Sequence, residues 1–165
     1  MPDAFADVLA ANRRYAGSFH LAGLEPVAAA GLAVVTCVDS RIEPLAILGL
    51  RPGDAKITRN AGARVTTDVL RTLVLVTHLL GVHRVMVVAH TQCKMAGTTE
   101  AEIDALVRAQ SGIDTRSLDF GVVTDQRRAL SDDVQRIRSW PFLPPATLVG
   151  GFVYDVGTGQ LRHVA

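Results

Sequence analysis

The apolar residues of this chain fall into two kinds of run. Residues 32–38 (LAVVTCV) and 84–89 (RVMVVA) are short, nearly continuous and rich in β-branched types, the pattern of strands covered on both faces of a parallel sheet. Other segments repeat their apolar positions at helical spacing. Phe5, Val8, Leu9 and Tyr15 predict a helix over residues 3–16 with Asp3 as its N-cap. Residues 69–80 are apolar on most sides and predict a buried helix, capped by Thr66 or Thr67 and stopped by Gly81. Ala129, Leu130, Val134 and Ile137 predict an amphipathic helix over 125–138, ended by Pro141.

The shorter segments are read from their punctuation. Residues 42–50 predict a turn or two of helix, closed by Arg51-Pro52-Gly53-Asp54. A short strand is expected over 56–59, then a loop at Asn60-Ala61-Gly62. Thr99 and Glu102 form a capping box ahead of Ile103, Leu106 and Val107, and residues 110–120 read as irregular. Residues 147–156 and 161–164 flank Gly157-Thr158-Gly159 and predict a hairpin. The order of strand, helix, strand, helix, strand, helices and hairpin predicts an α/β fold: a mainly parallel central β-sheet flanked by α-helices, with a C-terminal β-hairpin.

Length and composition narrow the function classes. The chain has 165 residues, enough for one domain over 1–165 with a sizeable core. With 17 basic and 16 acidic side chains it has no global field to attract nucleic acid or an anionic membrane, so neither partner is expected. The strongest apolar stretches, at 73–76 and 85–89, are too short to span a bilayer. The opening MPDAFADVLA lacks a basic start and an apolar run, so the expectation is a cytoplasmic protein whose two cysteines are reduced. Arg127, Arg128, Arg136 and Arg138 have acidic neighbours in Asp125, Asp132 and Asp133 and read as a solvated helix face.

Both cysteines fall at ends of predicted strands. Cys37 closes the first, and Cys93 follows the second within His90-Thr91-Gln92-Cys93. Loops after strand C-termini converge on the binding crevice of a parallel sheet, so Cys37, His90 and Cys93 can meet there. Two thiolates and an imidazole are a ligand set of catalytic zinc, with a fourth position left for water. If the extended geometry continues past Cys37, then Asp39 and Arg41 face the same cavity, Arg41 holding Asp39 by paired hydrogen bonds. Each residue also has a plainer reading: Cys37 as a small buried hydrophobe, His90 as a turn residue, Asp39 and Arg41 as a surface ion pair. His78 reads as a satisfied core residue, and His20, His83 and His163 have no assigned role.

Cys37-Val38-Asp39-Ser40-Arg41 taken with His90-Thr91-Gln92-Cys93 resembles the paired zinc signature of the β-class carbonic anhydrases. The intervening stretch from Gly53 to Gly62 is similar as well, and the length matches the compact members. The resemblance implies an enzyme, a carbonate dehydratase (a zinc-dependent lyase), with Zn2+ held by Cys37, His90 and Cys93. It implies hydration of carbon dioxide to bicarbonate and a proton by metal-hydroxide attack. Asp39 and Arg41 would then be the catalytic dyad, with Asp39 a metal ligand only in a closed form, and Ala61 and Gly62 would line the substrate pocket. Hydrolysis of carbon disulfide or carbonyl sulfide on the same scaffold, or a zinc-binding but silent regulatory protein, are the alternatives. A homodimer or higher homo-oligomer is implied, with the N-terminal helix able to pack across a partner. The sequence departs from the family pattern at Lys94, where many members carry glycine. That change bears on the pocket and leaves the ligand set intact.

Overall fold

The computed structural model describes residues 4–165. Five strands form one sheet: β1 (Leu32–Cys37), β2 (Ala55–Asn60), β3 (Arg84–His90), β4 (Leu148–Tyr154) and β5 (Leu161–His163). Their order across the sheet is β2-β1-β3-β4-β5. The first four are parallel, and β5 runs antiparallel to β4. Helix α1 (Ala6–Gly17) precedes the sheet, and four further α-helices lie in its connections: α2 (Pro44–Ile47), α3 (Thr67–Leu79), α4 (Glu100–Ser111) and α5 (Gln126–Arg138). This is the α/β architecture that the alternation of runs predicts.

The apolar runs form strands because their β-branched residues suit a pleated backbone, and a sheet covered on both faces satisfies that backbone while burying most of the side chains. All six residues of β1 are buried. Ala33 and Val35 face a core built with Val69, Leu70 and Leu73 of α3 and Leu130, Val134 and Ile137 of α5. Leu32 and Val34 point the other way, towards Val88, Leu48, Ile57 and Phe152. Local chemistry sets the helix ends. The Thr66 hydroxyl accepts from Val69 N–H, Asp125 caps α5 through Arg128 N–H, and the Thr99/Glu102 box closes in both directions. No helix among the described residues is long and apolar enough to cross a membrane.

Several expectations are corrected. The N-cap role given to Asp3 lies outside the described residues, and α1 begins at Ala6. The turn or two of helix expected within 42–50 is present as a single turn, Pro44–Ile47, which left-handed Gly49 stops. Helix α4 continues to Ser111 and ends on left-handed Gly112, so the irregular stretch starts later than expected. Helix α3 is buried on one face only: Val69, Leu70, Leu73 and Val76 pack inward, while Leu75 and Leu79 are 45% and 69% exposed. His78 shares the exposed side and bonds the Phe142 carbonyl at 3.0 Å, so it is not a core residue. Asp133 is not on a solvated face: it is buried and paired with Arg64.

Candidate metal centre

β1 and β3 are neighbours at the middle of the sheet, aligned so that Thr36 lies opposite Val88. Cys37 and His90 therefore come side by side where the two strands end, as the crevice rule for parallel sheets requires. The chain then reverses through Thr91 and Gln92 to bring Cys93 back. Thr91 is pinned to β4, its N–H donating to the Tyr154 carbonyl and its hydroxyl accepting from Val156 N–H. Gln92 sits at φ +56°, a left-handed conformation that costs a non-glycine residue about 1 kcal/mol or more. The sulfurs of Cys37 and Cys93 and a ring nitrogen of His90 lie within 4.8 Å of one another, and all three residues are buried.

The imidazole is already set to bind. Nδ1–H of His90 donates to the Thr91 carbonyl at 2.9 Å, which leaves Nε2 with its lone pair. Nε2 is fully buried and has no hydrogen-bond partner, an unusual state for a native polar atom. Burial raises the Cys93 thiol above its usual pKa, and the neighbouring Cys37 adds to this. Two adjacent buried thiolates and an orphaned ring nitrogen are mutually compatible once a soft or borderline dication neutralises them. The donor set fits such an ion.

Asp39 and Arg41 reach the centre by a different geometry from the one expected. β1 stops at Cys37, and the chain turns instead of continuing extended. The Asp39 carboxylate accepts from the Arg41 backbone N–H at 2.9 Å, and Ile42 N–H closes the turn on the Asp39 carbonyl. The Arg41 guanidinium then grips both carboxylate oxygens, Nε to Oδ1 at 2.9 Å and Nη2 to Oδ2 at 2.7 Å. These bonds hold the Asp39 carboxyl far below the usual carboxylate range. Asp39 Oδ2 lies 3.9 Å from His90 Nε2, at the edge of the ligand cluster.

Comparison with known proteins places this geometry. The family model described as carbonic anhydrase matches residues 32–161. "Beta-carbonic anhydrase 1" of Mycobacterium tuberculosis is 35% identical over 161 residues, 96% of each chain. The chain belongs to the β-class carbonic anhydrases. The carbonic anhydrase crystal structure from Streptococcus mutans superposes with a TM-score of 0.92 at 34% identity, covering 100% of this chain and 99% of that one. The carbon disulfide hydrolase of an Acidianus strain is 34% identical over 153 residues, 78% of this chain and 74% of that one.

In this β-class chain the other histidines, His20, His78, His83 and His163, are exposed and stand outside the cluster. Gly62 is half-buried beside Met95, and Ala61 is exposed at the start of the same 3-10 turn. Lys94 is exposed at the first position of the 3-10 turn after Cys93, and its charge helps hold the Glu102 carboxyl down, after the larger effect of the Thr99 N–H. Several residues around the centre escaped sequence reading. Arg59 donates to the carbonyls of Cys37 (2.8 Å) and Asp39 (2.6 Å), tying β2 to the metal-side loop. Gln92 accepts from Arg41 through both its side-chain and backbone oxygens. Gln126 of α5 donates to the His90 carbonyl at 2.9 Å. Ala63 packs among Cys37, Ile42 and Cys93. None of these carries a local signal, because each is defined by a contact between segments far apart in the chain.

Proposed function

We propose that this chain is a zinc-dependent carbonate dehydratase, which hydrates carbon dioxide to bicarbonate and a proton. The observation that carries this reading is the buried, unpartnered Nε2 of His90 facing two buried cysteines, inside the segment matched by the carbonic anhydrase family. Cys37, His90 and Cys93 hold the metal. Zinc in such a site lowers the pKa of a coordinated water, supplying a nucleophile. Two thiolate ligands donate more charge than imidazoles do, so full activity is expected on the alkaline side.

Asp39 orients that nucleophile by accepting a hydrogen bond, which a carboxylate held ionised by Arg41 can do throughout the working pH range. Arg41 also keeps Asp39 from swinging onto the metal, the closed form in which Asp39 becomes a fourth ligand. Ala61 and Gly62 line the pocket that receives the linear, apolar substrate. The carbon disulfide hydrolase relative supports a second reading, hydrolysis of a sulfur analogue on the same centre. Rates of the purified zinc protein on carbon dioxide, carbonyl sulfide and carbon disulfide separate the two. A protein with stoichiometric zinc and no rate on any of them is the silent regulatory protein.

The chain acts as one domain in a homodimer or larger homo-oligomer. In support, α1 contributes no buried residue, and Val8, Leu9 and Tyr15 on it are exposed together. Leu75 and Leu79 of α3 expose further apolar surface. A monomer mass at micromolar concentration would contradict this. Two free cysteines in a thiolate role suit a reducing, cytoplasmic setting.

A further inference from the structure

The turn that follows β2 is held in a conformation it would not choose. Gly62 and Ala63 are both left-handed, at φ +77° and +58°. Glycine accepts this freely, whereas alanine does not. Yet Ala63 is buried, with its methyl group packed between the metal-side cysteines and Ile42. Strain of this kind persists only where the surroundings over-determine it.

Two sets of contacts do so. The Asn60 side chain brackets the turn, Nδ2 donating to the Arg64 carbonyl at 2.7 Å and Oδ1 accepting from the Arg64 N–H at 2.8 Å. The Arg64 guanidinium then reaches 69 residues along the chain to Asp133, Nε donating to Oδ2 at 2.7 Å. Asp133 is buried on α5, the helix whose Gln126 also holds the His90 carbonyl. One helix thus anchors both the end of β3 that presents His90 and the strained turn on the other side of the cysteines.

We propose that the Arg64–Asp133 ion pair is a positioning device. It holds the left-handed 62–63 turn against the metal centre and so sets the wall of the substrate pocket. Arg64 and Asp133 lie outside the Cys37–His90–Cys93 cluster and act through the turn. The proposal rests on the carbonic anhydrase reading for its kinetic readout and on the turn geometry alone for its structural one.

The test is a double-mutant cycle of Asp133→Asn with Ala63→Gly, run on the zinc-loaded protein and again on the cobalt-loaded protein. Asp133→Asn keeps the volume of the side chain and removes its charge. In the native background it should lower kcat/KM for carbon dioxide about tenfold with zinc content unchanged, the cost of a pocket wall displaced by a fraction of an ångström. In the Ala63→Gly background the same substitution should lower it less than about threefold, because glycine holds the turn without help. Azide affinity of the cobalt-loaded protein, read from its absorption bands, should show the same inequality. Equal losses in both backgrounds, no loss in either, or loss of metal in step with activity would overturn the proposal. If Asp133→Asn does not fold, Arg64→Lys, which keeps the charge and loses the forked geometry, takes its place in the same cycle. Should the native protein hydrate no carbon dioxide, the functional reading fails on that result, and the azide cycle still decides the role of the ion pair.

Discussion

Replacing Arg41 by alanine separates holding the metal from using it. The substitution removes both guanidinium bonds to the Asp39 carboxylate and both contacts to Gln92, and it leaves only the backbone N–H at position 41 to steady Asp39. The cost in stability should be small. The side chains are 46% and 18% exposed, and ion pairs open to solvent contribute at most about 1 kcal/mol. The cost in catalysis should be larger. Asp39 Oδ2 is already 3.9 Å from His90 Nε2, at the edge of the Cys37–His90–Cys93 cluster, so a small movement would bring the carboxylate within reach of a metal held there. Released from Arg41, it competes for the position that the reacting water needs. Loss of an orienting group of this kind lowers rates by about a hundredfold. The prediction is that Arg41→Ala keeps its zinc, melts within a few degrees of the native protein, and loses about a hundredfold in kcat/KM near neutral pH. The deficit should narrow at alkaline pH, where hydroxide displaces a carboxylate more readily than water does. Stopped-flow hydration at both pH values, with zinc measured on the same samples, provides the assay. Near-native rates at both, with zinc present, would remove the dyad from the mechanism.

Further outcomes follow from other parts of the structure. Cys93→Ala should sharply reduce bound zinc, because it removes one of the three residues proposed to hold it; full zinc retention with unchanged activity would eliminate Cys93 from the centre. Asp104 accepts from Thr115 N–H and from Arg108, and these bonds depress its pKa. A carboxyl with a depressed folded pKa stabilises above its unfolded value of about 3.9, and that contribution is lost as pH falls through the folded value. Asp104→Asn should therefore lower the melting temperature at pH 7, with the gap to the native protein closing at strongly acid pH; a gap independent of pH would contradict the assignment. In sedimentation or light scattering, replacing Val8 and Leu9 of α1 with serine should reduce the assembled mass, whereas an unchanged mass would place the interface elsewhere.

The parts of the fold legible in the sequence are those fixed by short-range chemistry. The strands β1 and β3 show because a strand buried on both faces needs an unbroken apolar run, and α4 shows because its capping box is written within four residues. The meeting of Cys37 and His90 was legible because strand ends in a parallel sheet converge, which puts the two together before any coordinates are known. Spacing gave a poor account of Asp39 and Arg41. Alternation along an extended strand was the wrong geometry, and an Asp-initiated turn with a bidentate grip brings them to the centre. Asp133 was misread for a different reason. It stands at helical spacing from Leu130 and Ile137 on the buried face of α5, but its charge and the charged residues near it mark a solvated face, and the Arg64 partner that lets it be buried lies 69 residues away. His78, Leu75 and Leu79 mislead in the opposite sense, since an apolar helix face implies a covering that, within one chain, the structure does not supply.

The central claim is that Cys37, His90 and Cys93 hold a zinc ion that hydrates carbon dioxide. Its most direct test is metal analysis of protein purified without chelator, paired with stopped-flow hydration of carbon dioxide on the same sample at neutral and alkaline pH. The account predicts one zinc per chain and a catalysed rate that rises towards alkaline pH and disappears when the metal is stripped. Protein without metal, or stoichiometric zinc with hydration no faster than buffer at either pH, would contradict it.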